Sequence, residues 1–290
     1  MKIKYIDPFT DFGFKKIFGE EASKELLIDF LQCLIPEANI VDLTFKPSNM
    51  LGAGANDRQA IYDIYCENSH GEKIIVELQK AKQQYFKDRT MFYSSFPIRD
   101  QAQAGDWKYE LKAVFCIGIL DFTFEKDKTQ PKEVIHTVQL KNQHNKVFYN
   151  KLKYVYLEMP HFNKTIQELE TRLDKWLYFI KNIEKFETIP DIFKDAIFEQ
   201  AIKKAEIANY TYEERDAYEA SLKIYRDMYS VIDYAFTQGE IKGREENEAL
   251  QKITEKNNNL KIAKALKDNG ISIEIIANST GLTIKEIEEL

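Results

Sequence analysis

Two short runs of alternating character, Ile61-Tyr-Asp-Ile-Tyr-Cys-Glu67 and Lys73-Ile-Ile-Val-Glu-Leu-Gln79, flank the turn residues Asn68, Ser69, His70 and Gly71. Side chains alternate across a strand, and Asn, Ser and Gly supply turn backbone, so the pattern predicts a β-hairpin. One face carries Ile64, Cys66, Ile74, Val76 and Leu78 and should meet a core; the other carries Asp63, Tyr65, Ile75, Glu77 and Gln79. With the hairpin centred on His70, Asp63 stands directly opposite Glu77, their Cβ atoms roughly 4.5–5.5 Å apart. A slip of one residue undoes that pairing. Two carboxylates so placed repel each other unless a cation lies between them. Mg²⁺ fits, because it takes oxygens from one or two carboxylates and completes its shell with water and phosphate oxygens. Such an ion lowers the pKa of a bound water and polarises a phosphoryl oxygen, so the pair points to metal-assisted hydrolysis of a phosphodiester. The bland alternative is a solvated strand face whose acids extend into water. Spacing alone leaves both open.

The flanking chain reads as mixed α and β. Thr10 or Asp11 can cap a helix through Phe18, and Leu26, Leu27, Phe30, Leu31 and Leu34 recur at helical spacing from Ser23 until Pro36 stops them. Strands are predicted over residues 40–45, 113–120, 134–140 and 153–157, with a Gly-containing loop at 49–56 and a helix over 82–104 bent at Pro97. Helical periodicity returns near 165–183, 190–208 and 212–236. Residues 239–259 are highly charged, a solvated helix or linker that Asn257, Asn258 and Asn259 should end, before a compact helical tail.

Composition narrows the class. With 290 residues, 44% of them hydrophobic, the chain is folded and longer than one core usually organises. The longest apolar run, Ala113 to Leu120, is far short of the roughly 18 residues of a membrane span. The N-terminus lacks the apolar core of a signal peptide, so a cytoplasmic protein without membrane contact is expected. Cys33, Cys66 and Cys116 are odd in number and widely spaced, which fits reduced thiols. The four His are scattered and receive no catalytic role.

Asp63, followed after fourteen positions by Glu77-Leu-Gln79 in a helix, strand, hairpin, helix order, resembles the PD-(D/E)XK nuclease superfamily. More narrowly the chain resembles its Rpn branch, the recombination-promoting nucleases also labelled transposases. The supporting stretches are Thr10-Asp-Phe-Gly-Phe-Lys-Lys-Ile-Phe-Gly19, Asn56-Asp-Arg-Gln-Ala-Ile-Tyr-Asp63 and Val76-Glu-Leu-Gln-Lys80, with Phe86, Arg89 and Tyr93 after them. The resemblance spans about residues 1 to 235 and implies an α/β fold: a restriction-endonuclease-like mixed sheet flanked by helices, with a helical C-terminal extension. On that reading residues 1–160 are the nuclease core, 161–238 a helical part of the same region, and 239–290 the linker and tail. It also implies Mg²⁺- or Mn²⁺-dependent DNA cleavage linked to recombination or mobile elements. Asp63 and Glu77 become metal ligands, with the Leu78 carbonyl a third oxygen. Gln79 takes the place of the motif's Lys, exchanging a charge for an amide dipole. Losing one such stabiliser costs on the order of 10²–10³ in rate. Lys80 does not replace it, because on a regular strand it points to the opposite face. Asp11 and Asp57 are the candidates for the superfamily's further acid, each with a plain cap or turn role as its alternative.

Residues 80–112 carry seven basic against four acidic side chains in an otherwise acidic chain, and Lys80, Lys82 and Arg89 are the candidate phosphate contacts. A mixed solvated face, or Arg89 paired internally with a carboxylate, is the plain alternative. Cleavage of both strands by one site per chain favours a homodimer. The runner-up function is a catalytically weakened nuclease fold acting as a DNA- or protein-binding module. In the tail, Thr283 and Glu286 form a capping box in a helix-turn-helix outline. Its Lys285 faces Glu286, Glu288 and Glu289, so packing or oligomerisation is the favoured role and a DNA reader the lesser one.

Overall fold

The computed structural model describes residues 3–50, 60–102, 105–106, 108–124 and 132–290. Asp57 lies outside them. Helix α1 (Asp11–Phe18) starts where the Thr10 hydroxyl accepts the Gly13 N–H, and α2 (Lys24–Leu34) buries the predicted Leu26, Leu27, Phe30, Leu31 and Leu34. The strands are β1 (Leu43–Phe45), β2 (Asn49–Met50), β3 (Ala60–Ile61), β4 (Ile64–Asn68), β5 (Lys73–Gln79), β6 (Val114–Leu120), β7 (Ile135–Lys141) and β8 (Val147–Glu158). Six of them form one sheet in the order β1-β4-β5-β6-β8-β7, with β2 and β3 paired separately. The β5–β6 and β6–β8 ladders are parallel and the outer ones antiparallel, which makes the mixed sheet expected from the sequence. All seven residues of β6 are buried. A parallel strand covered on both faces has no polar side to present, and this is why its sequence is a continuous apolar run.

Helix α3 (Phe86–Arg99) covers one face of the sheet. Its Phe86 and Phe96 join Tyr62, Tyr65, Ile75, Cys116, Tyr154 and Tyr156 in a single cluster. The hairpin face carrying Tyr65 and Ile75 is therefore buried as well, where alternation had marked only the Ile64 and Cys66 face for the core. Cys33, Cys66 and Cys116 are all free thiols, and burial pushes Cys66 up to about 12.

Helices α4 (Arg172–Asn182) and α5 (Ala196–Ala205) pack with α1 and α2. Thr171 and Asp174 close a capping box on α4, so that helix begins later than periodicity alone indicated. The Arg172 guanidinium bridges Asp29 of α2 (2.9 Å) and Asp195 before α5 (2.7 Å), and Trp176 Nε1 donates to the same Asp29 (2.6 Å). One cation thus fastens three helices. Arg172→Ala is expected to cost about 1–3 kcal/mol, because two partly buried carboxylates lose their shared cation. Urea denaturation should show a lower midpoint at an unchanged slope.

Helix α6 (Tyr212–Asp268) is 57 residues long. Its first turns belong to the compact unit Met1–Lys223, where Tyr218 accepts the Asp7 N–H and Ser221 that of Phe12. The second unit, Ile224–Leu290, holds the rest of α6 with α7 (Ile273–Thr280) and α8 (Ile284–Glu288). The boundary falls inside α6. The Asn triplet does not end the helix: the Asn259 amide donates to Thr280 O, and Ala263 packs with Ile276, Leu282 and Ile287. The helix stops instead at Gly270, whose φ of +77 suits glycine. The Thr283 and Glu286 capping box is present; Ile276, Leu282 and Ile287 are spent on this packing, while Ile275 and Ile284 stay exposed.

Candidate active site

The β4–β5 ladder pairs Ile64 with Val76, Tyr65 with Ile75, Cys66 with Ile74 and Glu67 with Lys73. This is the register of a hairpin centred on His70, and the ladder ends at Ile64 and Val76, one step short of Asp63 and Glu77. Asp63 itself lies in a bend just before β4. There the backbone leaves the ladder and the side chain replaces it: Asp63 Oδ2 accepts the Leu78 N–H at 2.6 Å. The backbone next to Glu77 is thereby tied to the Asp63 carboxylate.

Glu77 lies on the face covered by α3, in a slot shared with Phe86, Arg89, Tyr93, Cys116 and Tyr156 whose free volume is only about 10 Å³. Its neighbour across the parallel ladder is Gly118. A Cβ there would come within 2.8 Å of the Tyr156 ring, so the close approach of β8 requires the glycine. Glu77 Oε1 is buried without a hydrogen-bond partner. Burial raises the Glu77 carboxyl to about 8, and the Asp63 charge adds to that rise. The Arg89 charge, the Asp63 backbone N–H that the carboxylate accepts, and Lys15 oppose it. Asp63 is raised too, first by burial and then by Asp11, while the Leu78 N–H, Lys15 and Lys80 pull it down. An orphaned carboxylate oxygen beside a second acid is what a cation would relieve. Among the described residues no three His, Cys, Asp or Glu side chains gather as a metal cluster; Asp63 and Glu77 are two acids close enough for each to feel the other's charge. Their hard oxygens fit Mg²⁺ or Mn²⁺.

The other sequence candidates are placed as follows. The Gln79 Oε1 accepts from Arg89 Nη2, and its amide donates to Ala81 O at 3.0 Å. Arg89 also lies 5.5 Å from the ring centroids of both Phe86 and Tyr93 and is half-buried. Lys82 donates to the Phe124 carbonyl. Lys80 follows the end of β5 and is half-buried among the charges of Asp11, Asp7, Asp63 and Asp121; burial lowers its ammonium pKa and those acids raise it again. Off the strand, strand alternation no longer directs it. Asp11 sits at the start of α1 and pairs with Lys15 at 2.9 Å.

Two groupings escaped the sequence reading. Lys15 acts on both acidic side chains of the hairpin and lines the same cleft as Asp63. As one of two adjacent lysines on an amphipathic helix it carries no distinguishing mark. His136 and His161 lie 3.2 and 3.1 Å from the two oxygens of buried Glu158, which also accepts the Phe124 N–H. Glu158 stands in register with Leu120 and through it with Gln79. No spacing rule connects residues 136, 158 and 161.

Against known families, residues 8–235 match the model described as a PD-(D/E)XK nuclease family transposase. The chain belongs to that family. No curated protein and no solved structure matches it. Membership accounts for the mixed sheet and makes the chain a nuclease-family protein related to mobile elements, a class that generally uses divalent metal ions and takes DNA as substrate. The matched residues end within α6, beyond the boundary of the first compact unit. No described helix of this family member is long and apolar enough to cross a membrane.

Proposed function

We propose that this family member is a divalent-metal-dependent DNA endonuclease that hydrolyses phosphodiester bonds during recombination or the movement of mobile elements. The observation that carries the reading is the buried, unpartnered Glu77 Oε1 beside Asp63. Asp63 and Glu77 would hold the ion, with the Leu78 carbonyl as a further oxygen. A bound cation supplies Lewis acidity to the phosphoryl oxygen and a water of lowered pKa. The chain's own residues do the rest. The Leu78 N–H orients Asp63. Arg89 fixes the Gln79 amide, leaving it to position water or substrate by its dipole. Lys15 supplies a positive charge near both acids, the contribution that Gln79 cannot make. Asp11 is proposed as the helper acid through its pair with Lys15.

Supercoiled plasmid incubated with Mg²⁺ should be nicked, and Asp63→Ala should lower that rate by 10³ or more. A parent protein that binds DNA but does not cut it would favour the non-catalytic module. The tie between Gln79 and Arg89 favours that second reading to the extent that it removes both groups from substrate.

A further inference from the structure

Beside Asp63 a cleft of about 350 Å³ opens between α1 and the segment around β1. Phe12 and Lys15 line it from α1, and Phe45, Lys46 and Ser48 from the opposite wall. Lys16 and Glu20 also line it, but they are paired at 2.9 Å. Both phenylalanines are half-buried, so part of each ring is open to a ligand. Phe12 is held from behind, its centroid 5.8 Å from Tyr210 and 6.0 Å from Tyr218. The Lys15 and Lys46 ammonium groups are partly exposed, each with one carboxylate partner, Asp11 at 2.9 Å and Glu67 at 3.4 Å.

We propose that this cleft is a subsite for one unpaired nucleotide of the strand being cut, next to the scissile phosphate. The inference rests on the nuclease reading, since Asp63 is the residue the cleft shares with the proposed metal site. Size selects the ligand. The volume is at the lower end of small-molecule pockets, roughly 300–1,000 Å³, and so suits a single nucleotide. A base must leave its duplex stack to enter, which costs least where the strand is already single. Chemistry selects it too. Aromatic faces such as Phe45 stack any base, and lysines track a phosphate backbone without reading sequence. Phe45 therefore takes the base, while Lys46 and Lys15 take the flanking phosphates. The protein then acts at single-stranded or distorted DNA in preference to regular duplex.

Fluorescence anisotropy in EDTA, with labelled single-stranded oligo-dT of twelve nucleotides and a duplex of equal length as probes, tests this. The wild-type chain should bind the single strand at least about 10-fold more tightly. Phe45→Ala should remove about 10-fold of that affinity, and Phe45→Tyr should keep it, which separates stacking from a folding defect. Lys46→Ala should weaken single-strand binding and reduce its salt slope by about one. Equal affinity for both probes in the wild type, or Phe45→Ala and Lys46→Ala binding as the parent does, overturns the subsite. Plasmid cleavage in Mg²⁺ is scored separately. Cleavage without single-strand preference overturns the subsite alone. A Phe45-dependent preference without any cleavage overturns the nuclease reading, and with it the placement beside a scissile phosphate.

Discussion

Glu77→Gln is expected to abolish Mg²⁺-dependent cleavage and, in the same molecule, to stabilise the metal-free protein above neutral pH. The first effect follows from the proposed ligand role, and a fall of 10³ or more in nicking rate is the expected size. The second follows from burial. The Glu77 carboxyl is raised to about 8 in the folded chain, against an unfolded value near 4.3. A raised folded pKa contributes stability that is complete below the unfolded value and is lost as pH rises through the folded one. The metal-free wild type should therefore lose stability progressively between about pH 4 and pH 8. Glutamine copies the protonated acid and does not titrate. At pH 8 the variant should melt higher by about 4–8 °C, for about 2 kcal/mol of relieved burial, and near pH 4 the two proteins should melt together. Thermal melts in EDTA across this range check the claim. A variant that melts lower at every pH would mean that the wild-type carboxyl makes contacts that glutamine cannot copy, and would contradict an unrelieved burial of its charge.

The second large effect is expected at Lys15. Its charge lowers both Asp63 and Glu77, and the strand position that could have held a lysine holds Gln79. Lys15→Ala should reduce kcat by about 10²–10³, the cost of losing one electrostatic stabiliser. Removing the cation also lets both carboxyl pKa values rise. Protons then compete with metal over a wider range, so the acid limb of the pH–rate profile should move to higher pH, with more Mg²⁺ needed for half-maximal rate. Lys15→Arg should restore part of both. Lys15 is paired with Asp11 at the surface, so the melting temperature of Lys15→Ala should change little. A rate loss that simply tracks lost stability would assign Lys15 to structure alone.

The hairpin register was legible because the turn from Asn68 to Gly71 pins it. Helix α1 and strand β6 were legible for similar local reasons, a hydroxyl cap at Thr10 and an uninterrupted apolar run. The burial of Glu77 was not. Alternation reads one strand at a time and scored the Asp63 and Glu77 face as polar, whereas Phe86, Tyr93 and Phe96 arrive from α3 to cover it. Such cover is a tertiary event with no local trace. The same holds for the bond between Arg89 and Gln79, and for Lys80, which leaves the strand before alternation can place it. The passage of α6 through three asparagines was hidden for the same reason. Their weak helix propensity is outweighed by the packing of Leu260 and Ala263 against the tail.

Counting bound Mn²⁺ by electron paramagnetic resonance, in the wild type and in Asp63→Asn and Glu77→Gln, tests most directly whether the two hairpin acids share a cation. One ion per chain in the wild type, lost in either variant while the fold persists, is the predicted result. Undiminished Mn²⁺ binding in the double variant, or none in the wild type at millimolar metal and pH 8, would contradict it.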